Sequence, residues 1–115
     1  MIQGFEEHTV ELTEQEEKIA LKMAAKLKLS VGKENAVTNE RIQYFFGMNK
    51  VKIGSARIRK IIQYIRINSL VDNLCATSKG YFVAANQKEL DDYILSLNQR
   101  LNAIELTLYS LQKKS

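Results

Sequence analysis

The sequence predicts a mainly α-helical fold with one small β-hairpin and a long C-terminal helix. Three observations carry that expectation. Proline is absent and glycine occurs only five times in 115 residues, which favours continuous helices over a loop-rich sandwich. Apolar residues recur at helical spacing in several separate segments, each opened by a residue suited to capping. Two short runs, Leu74 to Thr77 and Tyr81 to Ala84, flank the turn Ser78-Lys79-Gly80, whose glycine suits the positive-φ position of a hairpin. The length fits one modest domain with an appendage.

Thr13-Glu14-Gln15-Glu16 reads as a capping box, in which the threonine hydroxyl and the glutamate carboxylate satisfy reciprocal backbone donors. Ile19, Ala20, Met23, Ala24 and Leu27 follow at helical spacing, so a first helix is expected from about Thr13 to Lys28. Ser30 to Val37 reads as a loop ending in a very short extended piece at Ala36-Val37. Thr38 then caps a second helix, with Glu40 near its positive end, Ile42, Phe45 and Phe46 facing inward, and Gly47 stopping it after Phe46. Met48 to Ile53 forms a turn. In the third helix, Ile58, Ile61, Ile62 and Ile65 share one stripe at 100° per residue. Ala56, Arg59, Lys60 and Gln63 fall on the far side, and Arg57 and Tyr64 flank it. The hairpin follows.

Asn86-Gln87-Lys88-Glu89 repeats the capping logic and opens the longest periodic segment. Leu90, Ile94, Leu97, Leu101, Ile104, Leu108 and Leu111 alternate spacings of four and three, the 3.5-residue repeat of a coiled-coil seam. That seam runs roughly 33 Å at 1.5 Å per residue, longer than so small a domain can cover. Self-association is the natural way to bury it, and a homodimer is expected. With Leu90 at d and Ile94 at a, Arg100 falls at g and Glu105 at the following e, a pairing that weakly favours parallel chains. The expected organisation is a flexible acidic N-terminus over 1–11, a domain over 12–85 and a dimerisation helix over 86–115.

Charge is distributed unevenly. Glu6 to Glu17 hold six acids, whereas Arg41 to Val71 contain seven bases, Arg41, Lys50, Lys52, Arg57, Arg59, Lys60 and Arg66, and no acid. A basic helix without acids suits the phosphate line of duplex DNA, where binding releases condensed counterions. An ordinary solvated face would mix signs for solubility. RNA fits less well, because Phe45, Phe46 and Phe82 are better explained as core than as stacking platforms.

The order of parts resembles the winged helix-turn-helix domain of prokaryotic DNA-binding regulators, including those of phages and prophages. The likeness covers about Leu12 to Ala85, with "TNERIQYFFGM" as supporting helix, "SARIRKIIQYIR" as recognition helix and "LCATSKGYFVA" as wing. It implies that the recognition helix enters the major groove of double-stranded DNA. Arg59, Lys60 and Gln63 would then show base edges and Lys50, Lys52, Arg66 and Lys79 would meet phosphates, with Ser55 and Arg57 suited to either role.

Other classes find little support. No glycine-rich phosphate loop or nucleophile with a base is evident, so enzymatic activity is not expected, and neither a cofactor nor a small-molecule ligand is implied. Cys75 reads as a buried strand residue and the lone His8 as a terminal one, so neither a disulfide framework nor a metal cluster arises. No run approaches the roughly 18 apolar residues of a membrane span and no signal-peptide pattern opens the chain, so a cytoplasmic location is expected. The competing expectation is a winged-helix assembly module that joins a replication or packaging complex through protein contacts.

Overall fold

The computed structural model describes residues 12–114; the acidic 1–11 segment, His8 included, lies outside them. The described chain is mainly helical, with four α-helices and one two-stranded antiparallel sheet. The order is α1 (Glu14–Leu27), a 3₁₀ turn (Lys33–Asn35), α2 (Asn39–Met48), α3 (Ser55–Ile67), β1 (Leu74–Thr77), β2 (Gly80–Val83) and α4 (Gln87–Lys114).

Capping chemistry sets the helix starts. Thr13 Oγ1 accepts the Glu16 amide at 3.1 Å, while Glu16 Oε1 accepts the Thr13 amide at 3.0 Å, closing the box foreseen in the sequence. Thr38 Oγ1 accepts the Arg41 amide at 3.1 Å and opens α2. Gly47 does not end α2: the helix runs through it to Met48, and Lys50, at φ +63°, makes the left-handed turn instead. The amides of Lys50 and Val51 return to the carbonyls of Gly47 and Phe46, and the Asn49 side chain donates to the Phe45 carbonyl, so the chain reverses on hydrogen bonds to the last turn of α2.

The main core lies where α1 and α2 pack on α3. Ile58, Ile61, Ile62 and Ile65 are shut from solvent against Ile19, Ala20, Met23, Ala24 and Leu27 of α1 and Ile42 and Phe46 of α2. Phe45 is half-buried at the rim, edge-on to Phe46 with ring centroids 5.2 Å apart.

The hairpin is one residue tighter than the sequence suggested. Thr77 pairs with Gly80, leaving Ser78 and Lys79 as the tip. Side chains alternate between two environments: Leu74, Tyr81 and Val83 pack on the three-helix core, while Cys75 and Phe82 face α4 through Tyr93. The outer edge of β2 is not open. Val37 and Tyr81 exchange two backbone hydrogen bonds of 2.8 Å, and Val83 donates to Ser30 and accepts from Gly32, so the loop after α1 lies along the strand as a short third lane. Asn86 precedes α4 as its cap, its side chain accepting the Glu89 amide. The Glu89 carboxylate in turn accepts the amides of Ala85 and Lys33, tying helix, hairpin and 3₁₀ turn together.

Two glycines should respond oppositely to alanine. Gly80 sits at φ +118°, and a β-carbon there would collide with the Val37 carbonyl that pairs with Tyr81. Gly80→Ala should lower the unfolding free energy by about 2 kcal/mol. Gly47, inside α2 with open space around it, should gain up to about 1 kcal/mol as alanine. Urea denaturation of both variants measures the contrast; equal effects would contradict the turn geometry.

Candidate nucleic-acid interface

α3 has no side-chain N-cap and no acid in its first turn, so apart from Arg66 in its last turn its helical state owes little to local signals. Burial of the four isoleucines, roughly 1.5–3 kcal/mol each relative to exposure, is what fixes its rotation. With that stripe inward, Ala56, Arg59 and Ile67 face solvent and Lys60 and Gln63 are half-buried at the margin. Arg59, Lys50, Lys52 and Lys79 are exposed and make no ion pair among the described residues, and Ser55 is half-buried at the start of the helix. The turn before α3 is well held. Gln43 Nε2 donates to the Ile53 carbonyl at 3.0 Å and Ile53 is buried, leaving Lys50 and Lys52 pointing outward on either side of half-buried Val51.

Three of the expected contact residues are engaged within the protein. The basic stretch is acid-free in sequence but not in space: Glu16 of α1 lies against α3. Its Oε2 is 3.1 Å from Arg57 Nε and its Oε1 is 3.4 Å from Lys60 Nζ, while the residue itself is only 4% exposed. Lys60 therefore leans to the α1 flank rather than standing at the centre of an open face. Arg57 keeps 56% of its side chain exposed while it pairs, against 33% for Lys60.

Arg66 turns the other way. Its Nε donates to the Leu74 carbonyl at 3.4 Å and its guanidinium lies over the Tyr93 ring at 5.4 Å, so it braces α3 against β1 and α4. Arg66 is thereby engaged on the hairpin side, the flank that Arg59 also borders, while Lys60 leans to the α1 side. Tyr81 lies on that same side. Burial pushes its hydroxyl above the ordinary value of 10.0, opposed by the Arg66 and Arg59 charges and a hydrogen bond with the Asn39 side chain. Cys75 is buried and free, and burial raises its thiol above the ordinary value.

On α4 the seam divides. Leu90 is half-buried against the hairpin beside Cys75 and Phe82, so it belongs to the domain, anchored with buried Tyr93. Ile94, Leu97, Leu101, Ile104, Leu108 and Leu111 are all exposed, from 42% at Leu97 to 64% at Leu111. Sequence reasoning missed two residues, Glu16 as a partner for the basic helix and Tyr93 as the anchor of α4. The signal for Glu16 was present: it stands on the same helical stripe as Ile19, Ala20, Met23 and Leu27, and an acid on a buried stripe needs a cation opposite.

Among the described residues, no helix is long and apolar enough to cross a membrane. Compared with known proteins, the chain matches no family model, no curated protein and no solved structure.

The Thr13 amide holds the Glu16 carboxyl below the ordinary value of 4.5, with Lys60 and Arg57 adding to the effect and burial opposing it. A carboxyl depressed in the fold contributes stability above its unfolded value and loses it as pH falls through the folded one. Wild type should therefore exceed Glu16→Gln in melting temperature at about pH 6, and the gap should shrink progressively below 4.5. Thermal melts of both proteins across that range check it; parallel curves would mean the carboxylate is not the charged partner.

Proposed function

We propose that this chain is a homodimeric, sequence-specific double-stranded DNA-binding protein of the winged helix-turn-helix type. It would serve as a transcriptional regulator or as a phage or prophage factor that marks a DNA site. One observation carries the reading. The whole isoleucine face of α3 is in the core, and the helix turns Ser55, Arg57, Arg59, Lys60 and Gln63 away from it, with exposed Lys50 and Lys52 preceding it. The hairpin lies along the Arg66 flank and ends in Lys79, and the Val37–Tyr81 pairing places a third extended lane beside it, as in winged helices. In this reading Arg59 and Gln63 face base edges, since arginine suits guanine O6 and N7 and glutamine suits adenine. Lys50, Lys52 and Lys79 neutralise phosphates, and Ser55 and Arg57 meet the backbone near the start of the helix.

The second reading is a protein-assembly module in a replication or packaging complex. What favours it is an open cleft between α1 and α2, floored by Ile19, Phe45, Phe46 and Val51 and rimmed by Lys18, Lys22 and Lys26.

Electrophoretic shift with salt titration separates the two. The cations that this reading sets at the DNA backbone, Lys50, Lys52, Lys79 and Arg57, predict a slope of about −4 per protomer in log affinity against log salt. Lys52→Ala or Lys79→Ala should weaken all duplexes alike, whereas Arg59→Ala or Gln63→Ala should cost about 1–3 kcal/mol at one base position and relax preference there. Salt-independent binding, or no binding to duplex, would remove the DNA reading.

The dimer has its own test. Leu101 is the central a position of the exposed seam, so Leu101→Glu would set a charge opposite its own copy without a partner. Light scattering at tens of micromolar should give a dimer for wild type and a monomer for the variant. A monomeric wild type or a dimeric variant would end the coiled-coil assignment.

A further inference from the structure

The most unusual group in the described chain is Glu16. It is an acid with 4% exposure, set on the buried stripe of α1, and it is fully engaged: the Thr13 amide and Lys60 Nζ meet Oε1, and Arg57 Nε meets Oε2. The capping box needs only the first of those contacts. An exposed glutamate at the same helical position N3 would close the box as well, without desolvation. The two cations come from a different helix, forty-four residues away in sequence in the case of Lys60, and both belong to the face that the DNA reading assigns to recognition.

We infer that Glu16 is a positioning residue for DNA recognition, a fixed carboxylate that clamps Arg57 and Lys60 to the α1 flank of α3 and so leaves exposed Arg59, on the opposite flank, to approach base edges. The inference rests on the DNA reading above.

Two physical effects follow from one group. A long basic side chain held by an ion pair enters the complex with less freedom to lose than a swinging one, and it cannot move over to a phosphate that would suit a shifted register. The carboxylate also cancels positive charge at the interface, which lowers the sequence-independent attraction that every duplex offers. Glu16 thus trades general affinity for discrimination. Arg57 is suited to this arrangement because it pairs through Nε while more than half of its side chain remains in solvent.

The test compares wild type, Glu16→Gln and Glu16→Asp on a duplex selected by the wild-type protein from a random pool and on a random-sequence duplex of equal length. In Glu16→Gln the box acceptor is retained and the charge lost. Binding to random duplex should tighten about threefold with its salt slope steeper by about one, while the selected-to-random ratio falls about tenfold or more. Glu16→Asp keeps the charge but is one methylene shorter, so it should leave the salt slope near wild type and still lose discrimination.

Circular dichroism and thermal melts establish that each variant is folded. Should Glu16→Gln not fold, Arg57→Gln and Lys60→Gln, both on partly exposed side chains, carry the test, each lowering the ratio several-fold. A folded variant set whose ratio stays within twofold of wild type would overturn the positioning role while leaving DNA binding intact. A wild-type protein that binds no duplex would overturn both.

Discussion

The isoleucine stripe of α3 is the constraint on which the rest of the structure depends. Four β-branched side chains at 0–2% exposure leave α3 no freedom to rotate about its axis, because turning it by one residue would bring an arginine or lysine into the core. Once that rotation is fixed, the polar residues between the isoleucines are turned outward as a set. The complementary stripe of α1, from Ile19 to Leu27, is fixed by the same contact, and its N-terminal continuation is Glu16. A carboxylate thus meets Arg57 and Lys60 because the hydrophobic register of two helices brings them together. The ion pair is a consequence of packing and not its cause. It is tolerable only because each carboxylate oxygen finds a donor, since a buried charge with a missing partner would cost several kcal/mol.

The hairpin is held with comparable thoroughness. Its inner face joins the three-helix core, its outer face carries Cys75 and Phe82 against Tyr93, and its exposed edge is occupied by the loop after α1. Two four-residue strands would be marginal alone, so nearly all of their stability is tertiary. Arg66 contributes to that closure, bridging α3, β1 and α4 through the Leu74 carbonyl and the Tyr93 ring. The price is reach: only Ser78 and Lys79 project beyond the ladder, and a wing of this length touches DNA, on the proposed reading, at one or two phosphates.

Local signals were legible in the sequence and long-range ones were not. Thr13, Thr38 and Asn86 marked three helix starts because capping is written within four residues, and the isoleucine spacing marked the buried face of α3 because amphipathicity is periodic. Gly47 misled, since a glycine inside a helix and one just beyond it look alike until the following turn is known. Here Lys50 takes the left-handed position that glycine usually fills. The loop after α1 gave only a hint of extended structure, because Val31 and Val37 acquire strand character from partners about fifty residues away. For the site, Arg59, Lys50, Lys52 and Lys79 were placed outward as expected. The intramolecular partners of Arg57, Lys60 and Arg66 were not legible, because Glu16 and Tyr93 lie in other helices and leave no trace in the spacing of α3 itself.

α4 shows how packing and association become one problem. Its first two turns are held by the hairpin, by Glu89 and by the Lys88–Asp92 pair, but beyond Leu97 the described residues contain no ion pair along the helix and none of the core. A helix in water gains little from propensity alone at this length, and most helical stability comes from burying an apolar face. The distal segment carries such a face, and among the described residues nothing of the domain core packs against it. Glycine and proline are absent from it, so no flexible joint separates the seam from the anchored turns at Tyr93. On the dimer reading, a second copy therefore does two things at once: it stabilises the distal helix, and it fixes the separation of the two domains through a continuous rod whose other end is bolted to the hairpin. Half-site spacing on DNA would then follow from the helix rather than from a linker, because there is no linker to vary.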